Sequence, residues 1–350
     1  MLFKCFSEWN LLPKSANKLF SHAEKDSLFF SRLWFENLAN TALKPDQHLL
    51  LACVVDDLDE LDNNKVLAVL PLITSKNKQW TSLSHIYSSL YTVLLAEINK
   101  QEVLHCLANG LSTLPFDRLK LGPIAADDIN MINLEAALES TGVSCNRYAQ
   151  FFNWFHPLLP SQTFSEYMLG RPSKVRNTIV RKQRKLIREH DYQIRLYTDG
   201  EVSSALADYH AIYKASWKKK ELFVDTLEGF ISHFSARGWT RLVILTINKQ
   251  PVAAQIWFVA HNKASIFKLA YDEGWKKYSP GSLLTEYLME YVIEVDNVEE
   301  IDYLTGNDRY KQDWMSQRRQ RWNLVCTHKL KPKKQKNLFK RLLQQLKTLK

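Results

Sequence analysis

The residues best suited to chemistry gather between Lys276 and Trp314. Ser279, Pro280 and Gly281 form a turn ahead of the helical run LLTEYLMEYVIE, with Ser282 entering its first turn. A helix start carries unpaired N–H groups and a partial positive charge, and a glycine there lets a phosphate come close to the backbone. Pro280 stiffens the turn, Ser282 supplies a hydroxyl, and Lys276 and Lys277 add charge. The set reads as a cradle for a pyrophosphate, although a capped structural turn uses the same residues. Further along, Asp302 lies inside the apolar run IDYLTG, where a carboxylate needs a partner. Lys311 is the candidate partner or charge stabiliser, and Tyr310 a candidate proton donor. Asp272 closes the run ASIFKLAYD and can line the same cleft. Each has a plainer structural reading: a buried ion pair for Asp302 and Lys311, a turn cap for Asp272, and core packing for Tyr310 with Trp314.

Other chemistries lack their residues. The ten histidines show no HxH or HxxxH spacing, and the five cysteines (Cys5, Cys53, Cys106, Cys145, Cys326) have neither metal-ligand nor redox spacing. No metal site is expected, and scattered free thiols fit a reducing compartment. Neither GxSxG nor GxxxxGK occurs, which argues against a serine hydrolase or a P-loop enzyme.

These residues need a frame. At 350 residues, 45% hydrophobic, the chain is long enough for two domains with separate cores. In the first half, residues 15–40 read as helical, and HLLLACVVD and KVLAVLPLIT as the strands of a hairpin. Helical patterns near 86–108 and 127–140 alternate with short strands near 118–124 and 143–155. Residues 161–190 form a basic amphipathic helical stretch interrupted near Gly170–Pro172. Then come a strand (YQIRLYTD), helices over 201–219 and 225–237, and an antiparallel meander, RLVILTI, VAAQIWFVA and ASIFKLAYD. A helix and the strand IDYLTG follow. The fold class is therefore α/β with a mixed sheet in which one strand pair splays.

That order, with GWTRLVILTINKQPVAAQIWFVAHNKASIFKLAYD, YSPGSLL and DYLTGNDRYKQDW, resembles the GNAT acyltransferase superfamily over roughly residues 165–320. More narrowly it resembles the CelD-like branch, associated with cellulose and other polysaccharide biosynthesis and related to the Fem peptidyltransferases. The opening SEWNLL and SLFFSRLWFENL look like the start of such proteins, which often carry two GNAT-like halves. The resemblance implies a degenerate or acceptor-shaping GNAT-like domain over 1–160, a better preserved acyltransferase domain over 161–328, and a basic tail over 329–350. It implies an acyl-CoA (acetyl-CoA) donor, with the thioester lying between two diverging strands. Backbone N–H groups near Leu269 to Tyr271 would polarise the thioester carbonyl. Ser279, Gly281, Ser282 and Leu283 would hold the coenzyme A pyrophosphate. Asp302 would be the base or acceptor-orienting group, with Lys311, Tyr310 and Asp272 beside it. The acceptor would be an amine or hydroxyl, through a sugar or polysaccharide precursor.

The net charge of +10 is uneven: no acidic residue follows Asp313, and none lies between Arg171 and Arg188. Basic helices attract phosphate-rich partners, so coenzyme A, an anionic acceptor or a tRNA fits 171–188. The tail KKQKNLFKRLLQQLKTLK has an apolar face of leucines and Phe339, compatible with an anionic membrane surface or with capping the core. The start MLFKCFSEWNLL lacks an apolar signal region, and no run approaches the roughly 18 apolar residues of a membrane span. A cytoplasmic protein, peripheral at the inner membrane face at most, is expected. The rival functions are a Fem-like transferase using charged tRNA and a non-enzymatic GNAT-shaped scaffold in a polysaccharide or secretion system.

Overall fold

In the first half the chain runs β1 (Leu2–Phe6), α1 (Ala16–Ala23), α2 (Arg32–Thr41), β2 (Gln47–Val55), β3 (Val66–Ser75), β4 (Gln79–Ser82), β5 (Leu94–Leu95), α3 (Lys100–Thr113), β6 (Arg118–Ala125), α4 (Ile129–Ser140) and β7 (Val143–Pro157). Helices α5 (Phe164–Leu169) and α6 (Ser173–Glu189) connect to the second half. That half runs β8 (Tyr192–Thr198), α7 (Leu206–Ala215), α8 (Val224–Ser235), β9 (Thr240–Ile247), β10 (Gln250–Ala260), β11 (Lys263–Tyr271), α9 (Pro280–Glu294), β12 (Glu300–Thr305), α10 (Lys311–Trp314) and β13 (Gln317–His328). These elements come from a computed structural model that describes residues 1–56 and 65–328. The basic tail over 329–350 lies outside the described residues.

The two halves repeat one order: strand, two helices, antiparallel meander, helix, and a strand parallel to the meander's last. β4 runs parallel to β6, as β11 does to β12. This is a tandem GNAT-like arrangement built on one thirteen-stranded mixed sheet, ordered β1-β2-β3-β4-β6-β13-β7-β12-β11-β10-β9-β8 with β5 beside β3.

Several local boundaries depart from the sequence pattern. The helical stretch 15–40 is two helices, because Ser27 and Ser31 turn their side chains back onto the N–H groups of Phe29 and Trp34 and break the run. The pattern near 86–108 becomes helix only from Lys100, and residues 201–219 hold a 3₁₀ turn before α7. Strands β1 and β13 are absent from the sequence reading. The residues of β13, read as the start of a basic stretch, form a long strand between β6 and β7, paired antiparallel to both. The end of the second half thereby completes the sheet of the first. It also places Cys145 and Cys326 side by side, with their sulfurs 3.4 Å apart.

Aromatic packing joins the halves as well. Trp34 of α2 stacks on Phe230 of α8 with ring centroids 3.9 Å apart, and its indole N–H donates to Ser88. The Asn37 amide donates to the Thr226 carbonyl at 2.9 Å, and Arg237 grips Glu24 through both oxygens. Gly229 makes the close approach of α2 and α8 feasible: a Cβ there would lie 1.9 Å from the Asn37 side-chain oxygen.

Candidate functional site

Strands β11 and β12 begin as a parallel pair, Lys263 with Glu300 through Ser265 with Asp302, and then part. From Ile266 to Tyr271, β11 has no strand partner on that side among the described residues, so alternate backbone N–H and C=O groups point across the opening. A register shift against β10, between Ile256 and Trp257, places the extra residue in β11 near Phe267 and bends the strand there. On the other side, Leu304 takes a left-handed backbone (φ 53°) and Gly306 another (φ 109°), turning β12 out of the sheet. The buried Lys311 secures this turn, donating to the carbonyls of Tyr303 (3.0 Å) and Thr305 (2.5 Å).

A cavity of about 870 Å³ occupies the opening, with lining residues from both faces of the sheet. On one face lie the start of α9 and the first turns of α6, represented by Ser279, Gly281, Ser282, Thr285, Lys174 and Thr178. On the other lie Tyr87 of the first half and Trp217 and Lys218 from the loop after α7.

At the start of α9 the Gly281 N–H is open among the described residues, whereas Pro280 has none and Ser279 and Ser282 donate to the carbonyls of Lys276 and Ser279 (3.0 Å each). Ser279 precedes Pro280 in a left-handed conformation (φ 53°), and no side chain caps the helix. Buried Gln255 in β10 holds the helix start to the sheet, donating to the Gly281 carbonyl (2.9 Å) and to Thr285 (2.8 Å). Gly281 lies against β11, since a Cβ would stand 3.3 Å from Leu269 and 3.5 Å from Tyr271. The preceding turn is tied to α6 through Tyr278, which donates to Glu189 at 2.8 Å, and through Lys182, which donates to the Lys277 carbonyl.

Across the gap is a polar cluster that spacing alone did not reveal. Lys268 of β11 lies 2.6 Å from Glu221 and 4.2 Å over the ring of Tyr87, and the Tyr87 hydroxyl donates to the same carboxylate. Burial pushes Glu221 up, but the bonds from Lys268 and Tyr87 outweigh it and hold the carboxyl low. Lys218, beside them, has no carboxylate within 4.0 Å among the described residues. Burial, with the neighbouring charge of Lys268, pulls it down to about 8. Burial also lowers Lys311, against the pull of Asp308 and Asp302, and raises Tyr310 to about 12.

Of the residues predicted from sequence, Leu269, Tyr271, Ser279, Gly281, Ser282, Tyr310 and Lys311 line this cavity. Three do not, and each has a local reason. Leu283 is buried in the core of the second half, because helical period turns it inward from Ser282. Asp272 caps the following 3₁₀ turn, accepting from the Gly274 N–H at 2.9 Å. Asp302 does not meet Lys311. Strand alternation turns it to the opposite face from Tyr303, where Asn153 (2.5 Å) and Arg319 (2.8 Å) take its oxygens. Its partner, Arg319, comes from the unexpected strand β13. Tyr87, Lys218, Glu221 and Lys268 were missed. Lys218 and Glu221 fall in the short charged run WKKKELF, while Tyr87 and Lys268, the latter within an apolar run, have no local signal.

In the first half the equivalent opening is filled by the chain itself. The Ser82 hydroxyl donates to the Gly122 carbonyl (2.7 Å) and accepts its N–H (3.1 Å), bridging the strands where they would part.

A meander ending in a parted parallel pair, with an uncapped helix start facing the opening, is the GNAT arrangement. Residues 173–312 match the family described as acetyltransferase (GNAT) domain. The solved structure of FemX is similar over 88% of this chain and 95% of its own, with a TM-score of 0.59 and 10% identity. A conserved protein of unknown function from Bacteroides thetaiotaomicron is similar over 87% of this chain and 97% of its own, with a TM-score of 0.56 and 12% identity. At these identities the likeness is one of fold. No curated protein sequence matches the chain. Among the described residues, no helix is long and apolar enough to cross a membrane, and no three His, Cys, Asp or Glu side chains gather as a metal site.

Proposed function

We propose that the second half transfers an acyl group from an acyl-coenzyme A to an amine or hydroxyl. The observation that carries the reading is the parting of β11 from β12 beside an uncapped helix start. The donor phosphates take the N–H of Gly281 and the positive end of α9, with Lys174 and Lys276 nearby, and the acyl thioester lies in the opening. The N–H groups of β11 between Ile266 and Tyr271 then face its carbonyl oxygen and stabilise the charge that develops there. The acceptor enters from the other face, past Tyr87 and Trp217. Its attack on the carbonyl breaks the C–S bond, the acceptor gives up a proton, and the thiolate gains one. Lys218 is the base for the first proton, since burial leaves a neutral fraction at working pH. Tyr310, on the same cavity wall, is the acid for the second. Lys311 positions β12, and Asp302 acts from the far face by holding β12 to β7 and β13.

The first half shapes the acceptor side through the loop that brings Ile86 and Tyr87 into the cavity. A sugar or polysaccharide precursor as acceptor rests on the CelD-like resemblance. A cytoplasmic setting rests on the sequence, as does any contact of the tail with an anionic membrane.

The test is coenzyme A binding. Coenzyme A should raise the melting temperature of the protein, and Gly281→Trp should abolish that rise while leaving circular dichroism unchanged. Acyl-coenzyme A with amine or hydroxyl acceptors should release free thiol. No response to coenzyme A in the wild type overturns the reading. A second reading, aminoacyl transfer from charged tRNA, draws on the exposed Lys174, Arg181, Arg184 and Arg188 of α6. Retention of tRNA that falls steeply with salt, without a coenzyme A response, would favour it.

A further inference from the structure

On the face of the sheet turned away from α9 lies a second, smaller pocket of about 170 Å³. Its walls come from both halves: the loop 25–29 and Ser89 of the first, and His261, Ser265 and Asp302 of the second, with Arg319 and Arg321 of β13. Arg321 is only 4% exposed, yet no carboxylate lies within 4.0 Å of it among the described residues. Among the described residues its guanidinium makes one hydrogen bond, from Nη2 to the side-chain oxygen of Asn153 at 3.2 Å, and that oxygen already accepts from Arg319 Nε at 2.6 Å. The Nε–H of Arg321 has no partner.

The carboxylates that could serve it are committed or distant. Glu300 and Asp302 are both held by Arg319, at 2.8 Å each. Asp26 and Asp127 stand exposed at the rim, with Lys25 and Lys263 beside them. Burial and the adjacent Arg319 charge pull Arg321 down to about 10, so it stays cationic at neutral pH. Two further residues lining the pocket carry a buried polar atom without a hydrogen bond among the described residues: the hydroxyl of Ser89, a residue 1% exposed, and Nε2 of His261, which stands 3.9 Å from the Glu24 carboxylate. An arginine, a serine and a histidine from three parts of the chain thus line one small space.

Buried polar groups are otherwise almost always satisfied, and an unpaired buried cation is costly. Water could serve the hydroxyl and the ring, but it cannot neutralise the guanidinium. The volume exceeds the roughly 30 Å³ share of one water several-fold, so a polyatomic ion fits and a nucleotide does not. A tetrahedral oxyanion matches the guanidinium fork and accepts from the remaining donors.

We propose that this pocket binds a phosphate group, held by Arg321 with Ser89 and His261, and that the bound group clasps the first half to the second. It is separate from the donor phosphates, which belong at α9. The group is free inorganic phosphate or the phosphate of a small monoester.

The test uses the full chain in phosphate-free buffer, with sodium phosphate added against sodium chloride at equal ionic strength. Phosphate should raise the melting temperature saturably and give a calorimetric isotherm, while chloride does neither. Gly281→Trp should keep this response and Arg321→Met should lose it. Without phosphate, Arg321→Met should melt no lower than the wild type, because the substitution removes a buried charge that no carboxylate contacts among the described residues. Ser89→Ala should shift saturation to several-fold higher phosphate, and Arg321→Lys at least tenfold; these two carry the test if Arg321→Met fails to fold. Glycerol 3-phosphate saturating below inorganic phosphate assigns the site to a monoester, and the reverse order to the free ion. A phosphate response equal to chloride's, or one unchanged in Arg321→Lys and Ser89→Ala, overturns the proposal. So does a response lost in Gly281→Trp but kept in Arg321→Met.

Discussion

The ammonium of Lys311 donates to the backbone carbonyl of Tyr303 at 3.0 Å, just beyond the point where β12 leaves β11. The side chain reaches back along its own loop and occupies carbonyls that strand pairing would otherwise have used. It therefore acts as a clasp that keeps the two strands apart. The charge predicted to pair with Asp302 serves the backbone instead.

Lys311→Met leaves the carbonyls of Tyr303 and Thr305 without their donor. A stability loss of about 1–3 kcal/mol is expected by denaturant titration, from unsatisfied buried acceptors. Turnover should fall at least tenfold even where coenzyme A still binds. Full turnover with wild-type stability would show that β12 holds its shape unaided.

Lys218 should set the ascending limb of the pH–rate profile. Its ammonium is held near 8, below the ordinary lysine value of 10.5, so the neutral base accumulates as pH rises through 8. The rate should climb over that range and level off above it, and Lys218→Met should be slow and flat there. The stability sign follows from the same depression. Between about 8 and 10.5 the unfolded chain holds the proton and the folded chain does not, so the contribution of Lys218 to stability rises with pH across that window. A limb at pH 8 that survives in Lys218→Met removes the residue from the chemistry.

Asp302→Asn tests the placement of that carboxylate. Facing Arg319 and Asn153 on the far side of the sheet, it should cost stability, about 3–5 kcal/mol for a broken buried pair, and leave the pH limb unchanged. A variant that is fully stable but inactive would return Asp302 to the reaction.

The halves should unfold together. Trp34→Ala removes the stack on Phe230 and should lower stability by about 3–5 kcal/mol. Scanning calorimetry of the full chain should show one transition, and residues 1–160 expressed alone should not fold, lacking β13 between β6 and β7. Two separate transitions would mean that the shared sheet does not couple them.

Much of the second half is legible in its residues alone. Alternating apolar residues and the turn formers NKQP and HNK define the meander β9–β11, and Ser279 to Ser282 announce the start of α9. Those signals are local: each depends on residues a few positions apart, so strand period, turn chemistry and helix start are written into short stretches of chain. The first half is legible in its hairpin and in β6, α4 and β7. Over 86–99 the helical pattern misleads, because Leu94 and Leu95 pair with β3 and the residues around them follow that pairing and not a helical period.

The local patterns determined the order of elements from β8 to β12, and so the meander, the start of α9 and the strand that parts from β11. Tertiary structure alone decided which side chains meet there. Tyr87 and Glu221 join across the two halves, and Arg319 reaches Asp302 from a strand inserted into the other half's sheet. Such contacts depend on where sheet alternation and strand order carry each residue in space. Neither leaves a mark in the spacing of neighbours along the chain.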